Sequence, residues 1–465
     1  MAEPLWTSAE IVAATGGRLT GPAFEAGGVS IDTRSLEPGD LFVALIGESD
    51  GHAYVEQALA KGAAGVLAQQ AASGSSIVVN NTQAALESLG LAARDRAARA
   101  RRGAVTGSVG KTSVTQAVAA GLSLAGASHA SVKSYNNHIG VPLTLARMPR
   151  DTLRAVFEIG MNHPGEIEPL SRMVTPDVVA ITTVGAVHVE NFPDGEAGVA
   201  RAKAEIFAGL APGGTAILNM DDRWFDFLRR EAARAGARIL TFGSSEEADA
   251  ELLTFTQAAD GAQVTARFGG EKLAFAIRQN GAHWGLNSLA VLLMLSELGV
   301  DRPTSLAALA AFAPLDGRGA ARQIQLPGGA FTLIDESYNA NPLSVTAALR
   351  TLGASLAKGR RIVALTDMLE LGAESENLHA GLAKEIEAAG VDLVFCAGPL
   401  MNSLWRTLSP TRRGGYAQLA AELEPQLLRA IEPGDVVMVK GSRDSKAAAL
   451  AQALLALDTQ AGKGD

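Results

Sequence analysis

Cysteine is nearly absent: Cys396 is the single one in 465 residues. No disulfide and no thiolate metal site can therefore form within one chain. Cys396 lies in the apolar run Leu393-Val394-Phe395-Cys396-Ala397, which reads as a buried strand. Long apolar runs are missing as well. None approaches the roughly 18 residues that cross a bilayer, and no cationic-then-apolar leader opens the chain. A soluble, cytoplasmic protein is expected. There is also no excess of positive charge, since the net charge is −9. That argues against broad binding to nucleic acid or to membrane surfaces, so an anionic substrate must be met by local basic groups. What is plentiful is apolar surface, 47% of residues. A large core is available, and the length predicts roughly two to four domains.

The pattern divides into three α/β blocks, at 1–100, 101–314 and 315–465. The first has short strands at 41–45 and 76–79, Ala-rich helical stretches and an Arg-rich end at 94–102. The second alternates helices with strand candidates at 154–159, 178–184, 215–219 and 238–242, as in a parallel sheet with crossover helices. Within it, 250–278 alternates in polarity and reads as an antiparallel excursion. The third repeats the α/β pattern, with strands at 331–334, 361–365, 393–397 and 436–439. The glycine-rich stretch 315–319 is a candidate hinge, and 460–465 reads as a frayed end.

One octet stands out: Thr106-Gly107-Ser108-Val109-Gly110-Lys111-Thr112-Ser113. It follows a short apolar stretch and opens an Ala-rich helical pattern. Strand, glycine turn, Lys-Thr and helix wrap backbone N–H groups around a polyphosphate. Gly107 and Gly110 allow close backbone approach, Lys111 reaches the phosphates, and the Thr112 hydroxyl can hold Mg²⁺. Val105 stands where the first glycine of the full consensus belongs. A plain glycine turn before an ordinary helix is the alternative.

Other polar residues gather at strand ends, where open α/β sheets bind ligands. Glu158 ends one strand candidate and suits Mg²⁺. His188 follows another, and a neutral imidazole can hold a metal, although a lone histidine after a strand is more often a polar loop residue. Lys203 sits beside acids on a helical stretch and, taken alone, reads as part of a solvated face. His283 and Asn287 share one face at a helix start, where they can reach a nucleotide or merely cap the helix. The segment Asp335-Glu336-Ser337-Tyr338-Asn339-Ala340-Asn341-Pro342 suggests a binding loop before a helix that Pro342 begins. Asp367 to Gly372 with His379, and Lys440 to Arg443, are polar segments on the same edge. Lys440 and Arg443 would supply local positive charge. Ser30, Asp32, Thr33 and Arg34 form a polar turn near the start, where a surface turn is the competing reading.

Taken in order, the octet, Asn136-Asn137-His138-Ile139-Gly140-Val141-Pro142, Glu158-Ile159-Gly160-Met161-Asn162, His188, 203–207, 281–287, 337–342, 367–372 and 440–443 resemble the Mur ligase family over nearly the whole chain. The resemblance implies three domains: an N-terminal uridine-nucleotide domain, a central ATPase domain and a C-terminal Rossmann-like domain. Segments 337–342 and 367–372 point to the member that joins D-alanyl-D-alanine to UDP-N-acetylmuramoyl-tripeptide with ATP, through an acyl phosphate. The resemblance further implies carbamylation of Lys203, and two Mg²⁺ held by Thr112, Glu158, His188 and Lys203. Lys111, Lys203, Glu158 and His188 would be catalytic. Thr106 to Ser113, His283, Asn287, Arg318 and Asp335 would bind ATP. Ser30, Asp32, Thr33, Arg34, Asn137, Tyr338, Asn339, Asn341, Lys440 and Arg443 would bind the other substrates. A monomer with no nucleic-acid partner and no membrane insertion is expected, and the third domain must swing in before chemistry, which implies an inert open form. Trp284, Glu336 and His138 depart from the usual family residues. The rival readings are a folylpolyglutamate or cyanophycin-type ligase, or a phosphate-loop binding protein without ligase activity.

Overall fold

The computed structural model describes residues 3–132, 134–258 and 261–461. The last helix runs Ala447–Ala461, and 462–465 lie outside the described residues. Three sheets of five or more strands carry the fold. The first has the order Arg18–Thr20, Ser76–Val78, Gly65–Ala68, Asp40–Val43, Gly28–Ser30, parallel except at its Arg18–Thr20 edge. The third has the order Ala320–Leu326, Gly329–Glu336, Val436–Lys440, Arg361–Thr366, Leu393–Ala397, Arg413–Ala417. It is parallel beyond its first, antiparallel pair. Cys396 is fully buried in it.

The central sheet has nine strands, in the order Glu271–Ile277, Gly261–Phe268, Ala250–Ala258, Arg238–Gly243, Thr215–Asn219, Val178–Ile181, Arg101–Thr106, Arg154–Glu158, Ser128–Ala130. The first three form antiparallel hairpins, as the alternation at 250–278 predicts. The rest are parallel, and their buried runs such as Val178-Val179-Ala180-Ile181 are apolar on both faces because helices cover both. The strand Val178–Ile181 is shorter than its apolar run suggests: Thr182 and Thr183 bend away to strap the loop after Arg101–Thr106.

That strand, Arg101–Thr106, is where the chain reverses its direction of sheet growth. Later strands add on both its sides, which leaves a crevice at its carboxyl end. The helix that follows, Lys111–Leu124, buries Val114, Ala117, Val118, Gly121 and Leu122 at helical spacing. It packs on the helix His283–Glu297. Gly121 allows this close packing, and a Cβ there would stand 2.6 Å from the Leu295 methyls, so that side chain would have to shift. Among the described residues no helix is long and apolar enough to cross a membrane.

Candidate functional site

A cleft of about 590 Å³ opens between the central and third sheets. Its floor is the phosphate loop. Gly107 and Gly110 take φ +147° and +85°, values that favour glycine. Ser108 Oγ accepts from Gly185 N–H at 2.9 Å and donates to Gly185 C=O at 3.0 Å. Thr182 Oγ1 donates to Val109 C=O at 2.5 Å. These bonds tie the loop to the neighbouring strand end. A Cβ on Gly107 would lie 2.0 Å from Thr182 Oγ1. Gly107→Ala is therefore expected to displace the loop and weaken ATP binding by about 100-fold, measured by titration calorimetry, with a smaller loss of stability.

Lys111 lies over this loop, its Nζ donating to Gly107 C=O at 2.5 Å and Ser108 C=O at 3.4 Å. Withdrawal from water lowers its pKa, against the opposing pull of Glu158. Glu158 ends the adjacent strand and is 1% exposed. Its Oε1 accepts from Asn136 Nδ2 at 2.6 Å, while its Oε2 is buried with no protein donor. Such an orphaned carboxylate oxygen suits a hard cation. Among the described residues no three His, Cys, Asp or Glu side chains converge as a metal cage. The free Glu158 oxygen beside the phosphate loop fits Mg²⁺, which is commonly held by one or two carboxylates together with substrate phosphates.

His188 also lines the cleft, with φ +52°. Its Nδ1 is at ion-pair distance from Glu370 Oε2 of the third block, off the line of a hydrogen bond. The imidazole holds the Glu370 carboxyl below its ordinary value. Lys203 does not line the cleft. It is buried behind it, 1% exposed, in the helix Glu196–Ala204. Burial, and secondarily the charge of Lys111, push its pKa well below the ordinary lysine value. The solvated-face reading is thus corrected: Val199, Ala200 and Ala202 around it are buried too, and its neighbour Glu205 caps the helix Ile167–Val174 through Gly165 N–H at 2.7 Å and Ile167 N–H at 3.1 Å.

The opposite wall comes from the third block. Arg318, Tyr338, Asn339, Asn341, Lys440 and Arg443 line it, together with His283 and Asn287 from the central block. Lys440 is 2% exposed and is held by Asn339 C=O at 2.9 Å and Glu336 Oε2 at 3.4 Å. Much of its charge is therefore already matched, and burial lowers its pKa. Arg443 is exposed at the rim. Asn341 caps the helix Pro342–Ala354, and Asn137 caps Gly140–Ala146. The arrangement is closed: Arg318 and Tyr338 both touch Ser134 of the central block.

Some residues named from the sequence lie elsewhere. Asp335 turns into its own loop, accepting from Ser337 N–H at 3.0 Å and Oγ–H at 2.6 Å. Thr106 and Gly107 root the phosphate loop without lining the cleft. Ser30 ends the strand Gly28–Ser30 in the first block and Asp32, Thr33 and Arg34 follow it, all outside this cleft. There Asp32 pairs with exposed Arg34 at 2.6 Å, and Thr33 donates to Gln57 Oε1 at 3.1 Å. Asp367 caps the helix Met401–Thr407 through Met401 N–H at 2.9 Å, and buried His379 accepts from Met368 N–H at 3.0 Å. Both hold the third block together. Trp284, by contrast, borders the cleft but is almost wholly packed in the core, 5.9 Å from the Phe312 ring. Sequence reasoning missed Ser134, Thr182, Asn219 and the reach of Glu370. Ser134 and Glu370 sit in irregular segments without periodicity, although Glu370 lies inside a segment singled out for its polarity.

Comparison with known proteins adds a second line. Residues 105–295 match the family description "Mur ligase middle domain", 322–443 match "Mur ligase, glutamate ligase domain", and 25–97 match "Mur ligase family, catalytic domain". The chain is 34% identical over 442 residues to the UDP-N-acetylmuramoyl-tripeptide–D-alanyl-D-alanine ligase of Escherichia coli, covering 94% of this chain and 96% of that one. It is 31% identical to the Bacillus subtilis protein of the same name, over 92% and 94%. Among solved structures, MurF from Acinetobacter baumannii superposes with TM-score 0.85 at 29% identity, covering 98% and 99% of the two chains.

Proposed function

The chain belongs to the Mur ligase family, and from that premise we propose that it joins D-alanyl-D-alanine to UDP-N-acetylmuramoyl-tripeptide with ATP, a step of peptidoglycan synthesis. The single observation that carries this reading onto the chain's own residues is the shared cleft. The phosphate loop and Glu158 form one wall, and Arg318, Tyr338 and Arg443 form the other. A reaction between a triphosphate and a second substrate needs both walls.

ATP lies with its phosphates on the N–H groups of the loop and on Lys111, and Asn287 and His283 border the nucleotide. Arg318 reaches it from the third block. The terminal carboxylate of the tripeptide attacks the γ-phosphorus, ADP leaves, and an acyl phosphate forms. The amine of D-alanyl-D-alanine adds to the acyl carbon, phosphate departs with the C–O bond electrons, and the amine loses a proton to give the amide. Thr112, Glu158 and His188 would hold Mg²⁺, which supplies neutralisation of phosphate charge when bound. A carbamate on Lys203 adds negative charge behind them. The protein's part is positioning and charge stabilisation between the two walls of the cleft. The first block, with Ser30, Asp32, Thr33 and Arg34, takes the uridine end of the substrate. The blocks 1–100, 101–314 and 315–465 act as its three domains, and the protein works as a cytoplasmic monomer.

Phosphate release from ATP tests the reading. Release is expected only when UDP-N-acetylmuramoyl-tripeptide and D-alanyl-D-alanine are both present. ATP turnover that ignores the dipeptide contradicts it.

A further inference from the structure

The segment before Asn136 places one small side chain, Ser134, between parts of the chain far apart in sequence. Its Oγ lies 3.2 Å from Thr112 Oγ1, at the head of the phosphate-loop helix. From the opposite wall, Tyr338 donates its phenol proton to Ser134 Oγ at 2.8 Å, and Arg318 Nη2 donates at 3.3 Å. The Arg318 guanidinium lies 3.9 Å over the Tyr338 ring, so the two donors arrive as a unit. Tyr338 N–H is also tied to Gly317 C=O at 3.1 Å, within the segment that joins the two blocks.

A serine hydroxyl has one proton and two lone pairs. Arginine can only donate, and the tyrosine donates here, so the two fill both lone pairs. The one proton of Ser134 is then left for Thr112 Oγ1. Thr112 accepts it on one lone pair and keeps the other lone pair free for a cation. Without Arg318 and Tyr338, either hydroxyl of the Ser134–Thr112 pair can be the donor, and the free lone pair of Thr112 loses its fixed direction.

We propose that Ser134 is a positioning residue that passes the seating of the third block to Thr112, so that the hydroxyl serving the cation is aligned only when the cleft is closed. The inference rests on the reading of this cleft as an ATP site. It makes the third block more than a carrier of Arg318, because seating that block also prepares the phosphate loop on the other side.

The test uses the full-length protein, Mn²⁺ as the probe and a non-hydrolysable ATP analogue, with bound Mn²⁺ read by electron paramagnetic resonance. Ser134→Ala is expected to weaken Mn²⁺ binding in the analogue complex about tenfold and to lower kcat about 30-fold, while Ser134→Thr, which keeps the hydroxyl, stays within about threefold of the parent. Tyr338→Phe should weaken binding about threefold in the parent and add nothing in the Ser134→Ala background. Ser134→Ala values within about twofold of the parent, a Thr variant as poor as the Ala variant, or Tyr338 and Ser134 effects that multiply would each overturn the inference. A parent protein that binds no Mn²⁺ with the analogue overturns the ATP-site reading itself, and the inference falls with it.

Discussion

Lys203→Ala is expected to lower turnover by about 1,000-fold or more while the protein stays folded. The reason is chemical. The Lys203 amine is 1% exposed and its pKa lies well below the ordinary value. An ammonium buried in this way is costly, so the neutral amine is the favoured folded form. A neutral amine adds CO₂: a new N–C bond forms, one proton leaves, and the cation position becomes an anion. A carbamate formed on Lys203 would lie where the fields of Lys111 and Glu158 are felt. Removing the side chain removes the charge and leaves the backbone helix unchanged. Excess formate or acetate is expected to restore part of the activity by entering the vacated space, and labelled bicarbonate should give a ¹³C carbamate signal in the parent that the variant lacks. Full activity in Lys203→Ala would sink the carbamate. The pH dependence has a definite sign. The folded pKa is lowered, so the unfolded chain binds this proton more tightly. Its contribution to stability is unfavourable below the folded pKa, diminishes as pH rises, and vanishes above the unfolded value of about 10.4. Acidification protonates the amine, blocks CO₂ addition and is expected to reduce activity in a way that added bicarbonate partly reverses.

Lys111→Ala carries the second large effect, a fall in kcat/KM for ATP of about 1,000-fold. Lys111 already leans over the loop through Gly107 and Ser108 carbonyls, so a phosphate need only replace those carbonyls. Its lowered pKa, caused by withdrawal from water, marks a charge that gains from meeting an anion. Lys111→Arg is expected to recover little. The guanidinium is broader, and its fork does not fit the space from which a single ammonium reaches two carbonyls of one turn. Unfolding midpoints of both variants close to the parent would separate loss of chemistry from loss of fold. A Lys111→Ala protein with parental ATP affinity and turnover would contradict the placement of the phosphates.

Much of this was legible in the chain. The phosphate loop announces itself because a strand, a glycine turn and Lys-Thr must occur side by side in sequence. Glu158 and His188 were found because strand ends are where an open sheet presents ligands. The antiparallel excursion at 250–278 followed from its alternation. Other features depend on long-range packing that spacing cannot carry. Lys203 taken alone reads as a surface lysine because a glutamate lies beside it on a helical stretch; the family resemblance points the other way, and the fold buries it to 1% exposure. Asp367 and His379 have the chemistry of a site but are spent on a helix cap and a backbone N–H. Asp335 is likewise used by its own turn. Ser134 leaves no sequence signal: a serine in an irregular segment acquires its three partners from positions 22, 184 and 204 residues away.

The central claim is that this cleft transfers the γ-phosphate of ATP to a carboxylate. The most direct measurement uses UDP-N-acetylmuramoyl-tripeptide with ¹⁸O in both oxygens of its terminal carboxylate, followed by mass analysis of the phosphate and the amide product. An acyl phosphate requires one ¹⁸O in the released phosphate and one retained in the new amide. Phosphate free of ¹⁸O, with ATP consumed and amide formed, would contradict the account.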